Sequence, residues 1–92
     1  MTTTTRRVLR IVNEKGLHAR ASARLVEVVE AHDARAAVSK DGLEASGDSI
    51  MGLLMLAASK GTSIEVETSG PEAEKLADAI EALVADRFGE DF

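Results

Sequence analysis

Aromatic side chains are almost missing from this chain: it has no tryptophan or tyrosine, and only Phe88 and Phe92 represent the class. Its core must be assembled from Val, Ile, Leu, Met and Ala, which is easiest when helices pack on a sheet. Cysteine is absent. That excludes a disulfide framework and a thiolate metal site, and it suits a reducing, cytoplasmic setting. No apolar run approaches the length that spans a bilayer. The opening residues 1–7 carry a basic pair with no apolar stretch behind it, so no secretory signal is expected. Positive charge is also short: eleven Lys and Arg stand against sixteen Asp and Glu, a formal charge of −5. Nucleic acid needs a basic face, so it is not expected as a partner, and neither is a membrane. Arg6, Arg7, Arg10, Lys15, Arg20 and Arg24 nevertheless crowd the first quarter. A local basic surface that steers an acidic partner is expected there.

Residues 1–92 make one domain, large enough for a single core. Residues 8–12 alternate as a first strand, with Leu9 and Ile11 inward. After a turn at residues 13–16, Ser22, Leu25, Val26 and Val29 fall on one helical stripe over residues 19–31. Residues 36–39 read as a second strand, Asp41-Gly42 as a hairpin turn, and residues 43–46 as a third strand. Ser49 caps a short helix formed by the apolar run 50–58. Residues 64–68 alternate as a fourth strand. Gly70-Pro71 opens a last helix, with the only proline in its first turn, and Ala73, Leu76, Ala77, Ile80, Leu83 and Val84 form its buried stripe. Residues 89–92 are expected to fray. The order β-α-β-β-α-β-α predicts an α+β fold: an antiparallel sheet covered on one face by three helices, with strand four between strands one and two.

The candidate for chemistry is His18, in Gly16-Leu17-His18-Ala19-Arg20. At a helix start, backbone N–H groups lack intrahelical partners and the dipole presents positive charge, which together make a seat for phosphate. A neutral imidazole there is a competent nucleophile. The plainer reading is a histidine that merely caps or packs at the helix start. Arg20 and Arg24 lie close by on the same helix, one suited to compensating phosphoryl charge and the other to docking. His32 has no companions at ligand spacing. The short helix is apolar all round: Leu53 and Leu56 fit an inward stripe, leaving Ile50, Met51 and Leu54 as a partner-binding patch.

The histidine motif, followed by Ser49-Ile50-Met51-Gly52-Leu53 and Lys60-Gly61, resembles the HPr phosphocarrier family of the bacterial phosphotransferase system. Leu53-Leu54-Met55-Leu56, Ile64-Glu65-Val66-Glu67 and Gly70-Pro71 resemble its nitrogen-branch members in particular. The resemblance spans about residues 8–88 and implies an HPr-like open-faced β-sandwich. It implies a phosphoryl group carried on the δ1 nitrogen of His18, with Arg20 beside it. It implies Enzyme I as donor, IIA-type proteins as acceptors, and HPr kinase/phosphorylase acting on Ser49. Two positions depart from the family pattern: Ala21 stands where proline is usual, and Asp48 where a basic residue is common. The expected function is a phosphoryl shuttle without turnover of its own, monomeric, needing no metal and no cofactor, and linked to regulation of carbon and nitrogen metabolism. The alternative is a stoichiometric regulator whose phosphorylation state, at His18 and at Ser49, switches partner binding. An autonomous hydrolase would need a second acid–base group near His18, and the sequence offers none.

Overall fold

The computed structural model describes residues 3–92. Strand β1 (Thr3–Arg10) leads into helix α1 (Ala19–Glu30), and the hairpin β2 (Arg35–Lys40) and β3 (Leu43–Ser46) follows. Helix α2 (Ile50–Met55), strand β4 (Ser63–Gly70) and helix α3 (Ala73–Ala85) complete the α+β order expected from the pattern. A 3₁₀ turn, Arg87–Gly89, comes last. The sheet runs β1-β4-β2-β3 with every pairing antiparallel. β4 therefore separates β1 from β2, as expected for a crossover through α1.

The period-2 alternation of strand side chains sorts this sheet into a helix-facing side and a solvent side. Val66 is paired with Val38, and Val38 with Ala45. These three, with Leu9, Ile64 and Ala36, are buried under the helices. The stripe of α1 (Ser22, Leu25, Val26, Val29) and most of the stripe of α3 meet them. Leu83 is only partly buried. Leu53 and Leu56 seal the remaining end. On the solvent side Arg6 pairs with Glu65 at 3.5 Å and Glu67 at 2.6 Å. Arg7 reaches Asp78 at 2.7 Å and Glu81 at 3.2 Å on α3. Such exposed pairs are screened by water and add little to stability. They also engage two of the arginines expected to help make a basic surface around His18.

Several boundaries differ from the sequence expectation, each for a tertiary reason. β1 begins at Thr3 rather than residue 8, because eight residues of β4 are available to pair with it. Ile11 lies beyond the strand, although it is fully buried and its carbonyl accepts from Gly61 N at 2.8 Å. α2 stops at Met55, short of the apolar run, because Ala57 turns into left-handed backbone (φ 52) and Ala58 faces the loop before α1. Pro71 precedes α3 instead of lying in its first turn. Glu72 is the N-cap, and its backbone N–H and side chain are tied to Asp33 at 3.0 and 2.7 Å.

The tail is the largest correction. Residues 89–92 do not fray. Phe88 is fully buried, with φ 55. Its carbonyl accepts from Arg24 Nη1 at 2.6 Å, and Glu14 N donates to the Phe92 carbonyl at 3.0 Å. The chain's one buried aromatic ring thus pins its end against α1. Phe88→Ala is expected to lower unfolding free energy by about 3–5 kcal/mol, the usual cost of emptying a buried Phe site. Urea denaturation followed by circular dichroism measures this directly, and an unchanged midpoint would contradict it.

Candidate functional site

The turn before α1 is shaped by a close approach of two backbones. Gly16 has φ +66, and a Cβ there would lie 2.4 Å from the Ala58 carbonyl oxygen. Only glycine meets both demands. Leu17 N donates to that same carbonyl at 2.8 Å, so the end of α2 and the start of α1 are locked together. His18 follows as the N-cap, in extended backbone (φ −81, ψ −175). Its carbonyl accepts from Ser22 N at 2.8 Å, and its Nδ1 accepts from Arg20 N at 3.3 Å. The ring therefore faces the amides that the first helical turn leaves without partners. The side chain is 28% exposed, anchored yet reachable. Ala21, at the position where proline was noted as usual, is fully buried. The helix begins at Ala19 without a proline, because His18 supplies the cap.

The other ring nitrogen has a partner that sequence reasoning missed. His18 Nε2 is hydrogen-bonded to Glu90 Oε2. The second carboxylate oxygen, Oε1, accepts from Asn13 Nδ2 at 2.9 Å, and that amide also donates to the Gly16 carbonyl at 2.8 Å. Two acceptors on one side of Asn13 determine which end is the NH₂. Asn13 is fully buried, and its Oδ1 has no protein partner among the described residues. Burial pushes the Glu90 carboxyl up, but the hydrogen bonds from Asn13 and His18, with the positive charge of Lys15, outweigh it and hold Glu90 below the usual carboxylate range. No spacing signal could have found Glu90. It stands 72 residues from His18, in a segment whose composition reads as a loose end.

These groups line an open cleft of about 620 Å³, walled by Glu14, Lys15, His18, Arg20, Arg24 and residues 89–92. Charge in it is mixed rather than purely basic. Arg20 is exposed at its mouth. Arg24 is a wall of the cleft and also the clamp on the Phe88 carbonyl. A second, shallower hollow joins His18 to Lys15, Leu17 and Leu54, so the structure brings one residue of the expected patch beside the ring. Ile50 and Met51 lie on the exposed surface of α2 but line neither hollow. Met55, not anticipated in the patch, is 75% exposed. Ser49 caps α2, its Oγ accepting from Gly52 N at 3.1 Å. His32 sits past the far end of α1, bonded through Nδ1 to the Val28 carbonyl at 2.7 Å.

Comparison with known proteins agrees with this arrangement. Residues 5–86 match the family model described as the PTS HPr component phosphorylation site. The phosphocarrier protein HPr of Cupriavidus necator is 44% identical over 80 residues, covering 87% of this chain and 90% of that protein. The phosphocarrier protein NPr of Escherichia coli is 39% identical over 89 residues, covering 96% and 99%. A crystal structure of HPr from Thermoanaerobacter tengcongensis superposes with a TM-score of 0.90 at 30% identity, over 96% of this chain and 99% of that one. The chain belongs to the HPr family of phosphocarrier proteins of the phosphotransferase system.

Proposed function

We propose that this chain acts in the cytoplasm as a single phosphocarrier domain, monomeric, with His18 as the phosphorylated residue. In this reading Enzyme I, charged from phosphoenolpyruvate, is the donor, and IIA-type proteins are the acceptors. The observation that carries it is the direction of the ring: Nδ1 accepts from the Arg20 amide at the positive end of α1. A nitrogen that accepts a hydrogen bond carries a lone pair and no proton, so the proton is on the other nitrogen; the long bond from Arg20 N opens when phosphorus takes its place. The Nδ1 pair attacks phosphorus as the bond from phosphorus to the donor breaks, and that bond's electrons leave with the donor. The new phosphoryl oxygens meet the first-turn N–H groups of α1. The Arg20 guanidinium supplies compensating charge from the mouth of the cleft. Onward transfer is the same exchange in reverse, on a different acceptor.

Partner docking falls to the exposed surface of α2. Ile50, Met51 and Met55 are exposed there, and Leu54 links that surface to the ring. An aliphatic, methionine-bearing surface suits several partners in turn. Its place beside His18 also supports the second reading, a regulator whose partners sense phosphorylation. Ser49 is partly exposed at the head of α2. Two negative charges added there by a kinase of the HPr kinase/phosphorylase kind would stand next to Ile50 and Met51 and repel an acidic partner surface.

Incubation with Enzyme I and phosphoenolpyruvate is expected to put one acid-labile, base-stable phosphoryl group on the wild-type chain and none on His18→Ala. Equal labelling of the two would remove His18 from the role. Leu54→Asp is expected to fold, and to transfer its label to a IIA-type protein roughly tenfold more slowly, the loss typical of a central interface contact. Wild-type transfer rates in that variant would separate α2 from docking. Mass spectrometry of the chain from its own host should find phosphate on Ser49 under at least one nutrient state, and its absence under all of them would eliminate Ser49 as a regulatory site.

A further inference from the structure

We infer that Glu90 is a positioning residue for His18: it holds the ring in the tautomer that leaves Nδ1 unprotonated and keeps Nε2 protonated while phosphorus is bound. The inference rests on the reading of His18 as the carrier and deepens it. It starts from a geometry in which the two ring nitrogens have opposite partners. Nδ1 faces a donor, the Arg20 N–H, and Nε2 faces an acceptor, the Glu90 carboxylate. Those two partners together are compatible with only one neutral tautomer, Nε2–H.

The carboxylate is itself held. Asn13 Nδ2 bonds its second oxygen, and Asn13 is fixed by burial and by the Gly16 carbonyl. The segment that presents it is pinned by Phe88 and by Arg24. The side chain of Glu90 is only 14% exposed, against 28% for His18. An arrangement so closely tethered is a support for one ring, not a loose surface contact.

Its consequence follows from where charge appears. When neutral Nδ1 bonds phosphorus, the ring keeps its Nε2 proton and becomes a phosphoimidazolium. No proton has to arrive or leave. A carboxylate on that N–H stabilises the positive ring, as the buried aspartate does for the histidine of a serine hydrolase triad. In onward transfer the N–P bond breaks and its electron pair returns to Nδ1. A ring still protonated at Nε2 departs as neutral imidazole. A ring that has lost that proton must depart as the anion, a far poorer leaving group. Glu90 thus keeps the phosphoryl group transferable at alkaline pH. The other charged groups facing the ring are Lys15, Arg20 and Arg24, and across the cleft Glu14 and Asp91. Of all these, Glu90 alone bonds Nε2 among the described residues.

Two variants of the full chain test this. Nitrogen-15 spectra of the unphosphorylated protein are expected to show a dominant Nε2–H tautomer at His18 in the wild type and a mixture of both tautomers in Glu90→Ala. An unchanged ratio would overturn the inference, and this measurement needs no phosphorylation. Glu90→Gln keeps the shape of the side chain and removes its charge. Its onward phosphoryl transfer is expected to match the wild type near pH 6 and to fall roughly tenfold below it near pH 8, the lower end of what one charge-assisted hydrogen bond supplies. A profile identical to the wild type would overturn the inference. So would faster transfer near pH 8, which would make the tail a block on the site. Absence of label on wild-type His18 would instead sink the carrier reading, and the tautomer ratio would still decide the part played by Glu90.

Discussion

A helix that begins with unpaired amides needs something to face them, and in this chain the partner is the imidazole of His18. Nδ1 of His18 takes the place an Asn, Asp or Ser oxygen usually fills at an N-cap, accepting from Arg20 N. A nitrogen accepting at a cap is unprotonated and has a field that favours anions in front of it. Capping and nucleophilic readiness are therefore one arrangement, not competing explanations of His18. The plain reading of this histidine as a cap is correct, and the proposed phosphoryl carriage builds on that same cap.

The rest of the architecture can be understood as what holds that ring steady. Gly16 lets the backbone run against Ala58, which joins the end of α2 to the start of α1. The sheet and α3 give α1 a floor, through the packing of Leu25, Val26 and Val29. From the opposite direction the chain's end returns, anchored by Phe88, and places Glu90 on the second ring nitrogen. The ring is thus held from two sides by elements that are distant in sequence. Its exposed edge opens between a charged cleft and the aliphatic surface of α2. A carrier must present one nucleophile to successive partners, and rigid support with an open front is the geometry that does this.

Most of the fold was legible because its patterns are strong. Ser22, Leu25, Val26 and Val29 could form only one kind of stripe. Asp41-Gly42 could make only a tight turn, with φ 51 and 84 in the structure. The errors came where local pattern was weak or where a distant segment prevailed. Thr3, Thr4 and Thr5 carry no hydrophobic alternation, and they join β1 because β4 offers them partners. The run after Met55 is apolar enough for helix, yet it turns because Ala58 must meet Leu17. Of the expected site, His18, Arg20 and Arg24 do converge on one cleft, since three positions on the first turns of one helix have little freedom to separate.

From residues alone came the helix start with its histidine, the apolar short helix with too many aliphatic side chains to bury, and the element order that orients them. Those are properties of neighbours along the chain, where spacing dictates which side chains share a face. What only the folded chain decided was the fate of the tail and the partner on Nε2. The short segment 89–92 has no intrinsic structure, and its place depends on a buried phenylalanine, an arginine on α1 and an asparagine in the turn before α1 acting together. Contacts of that kind arise between segments that sequence separation leaves independent until the core brings them within a hydrogen bond of each other.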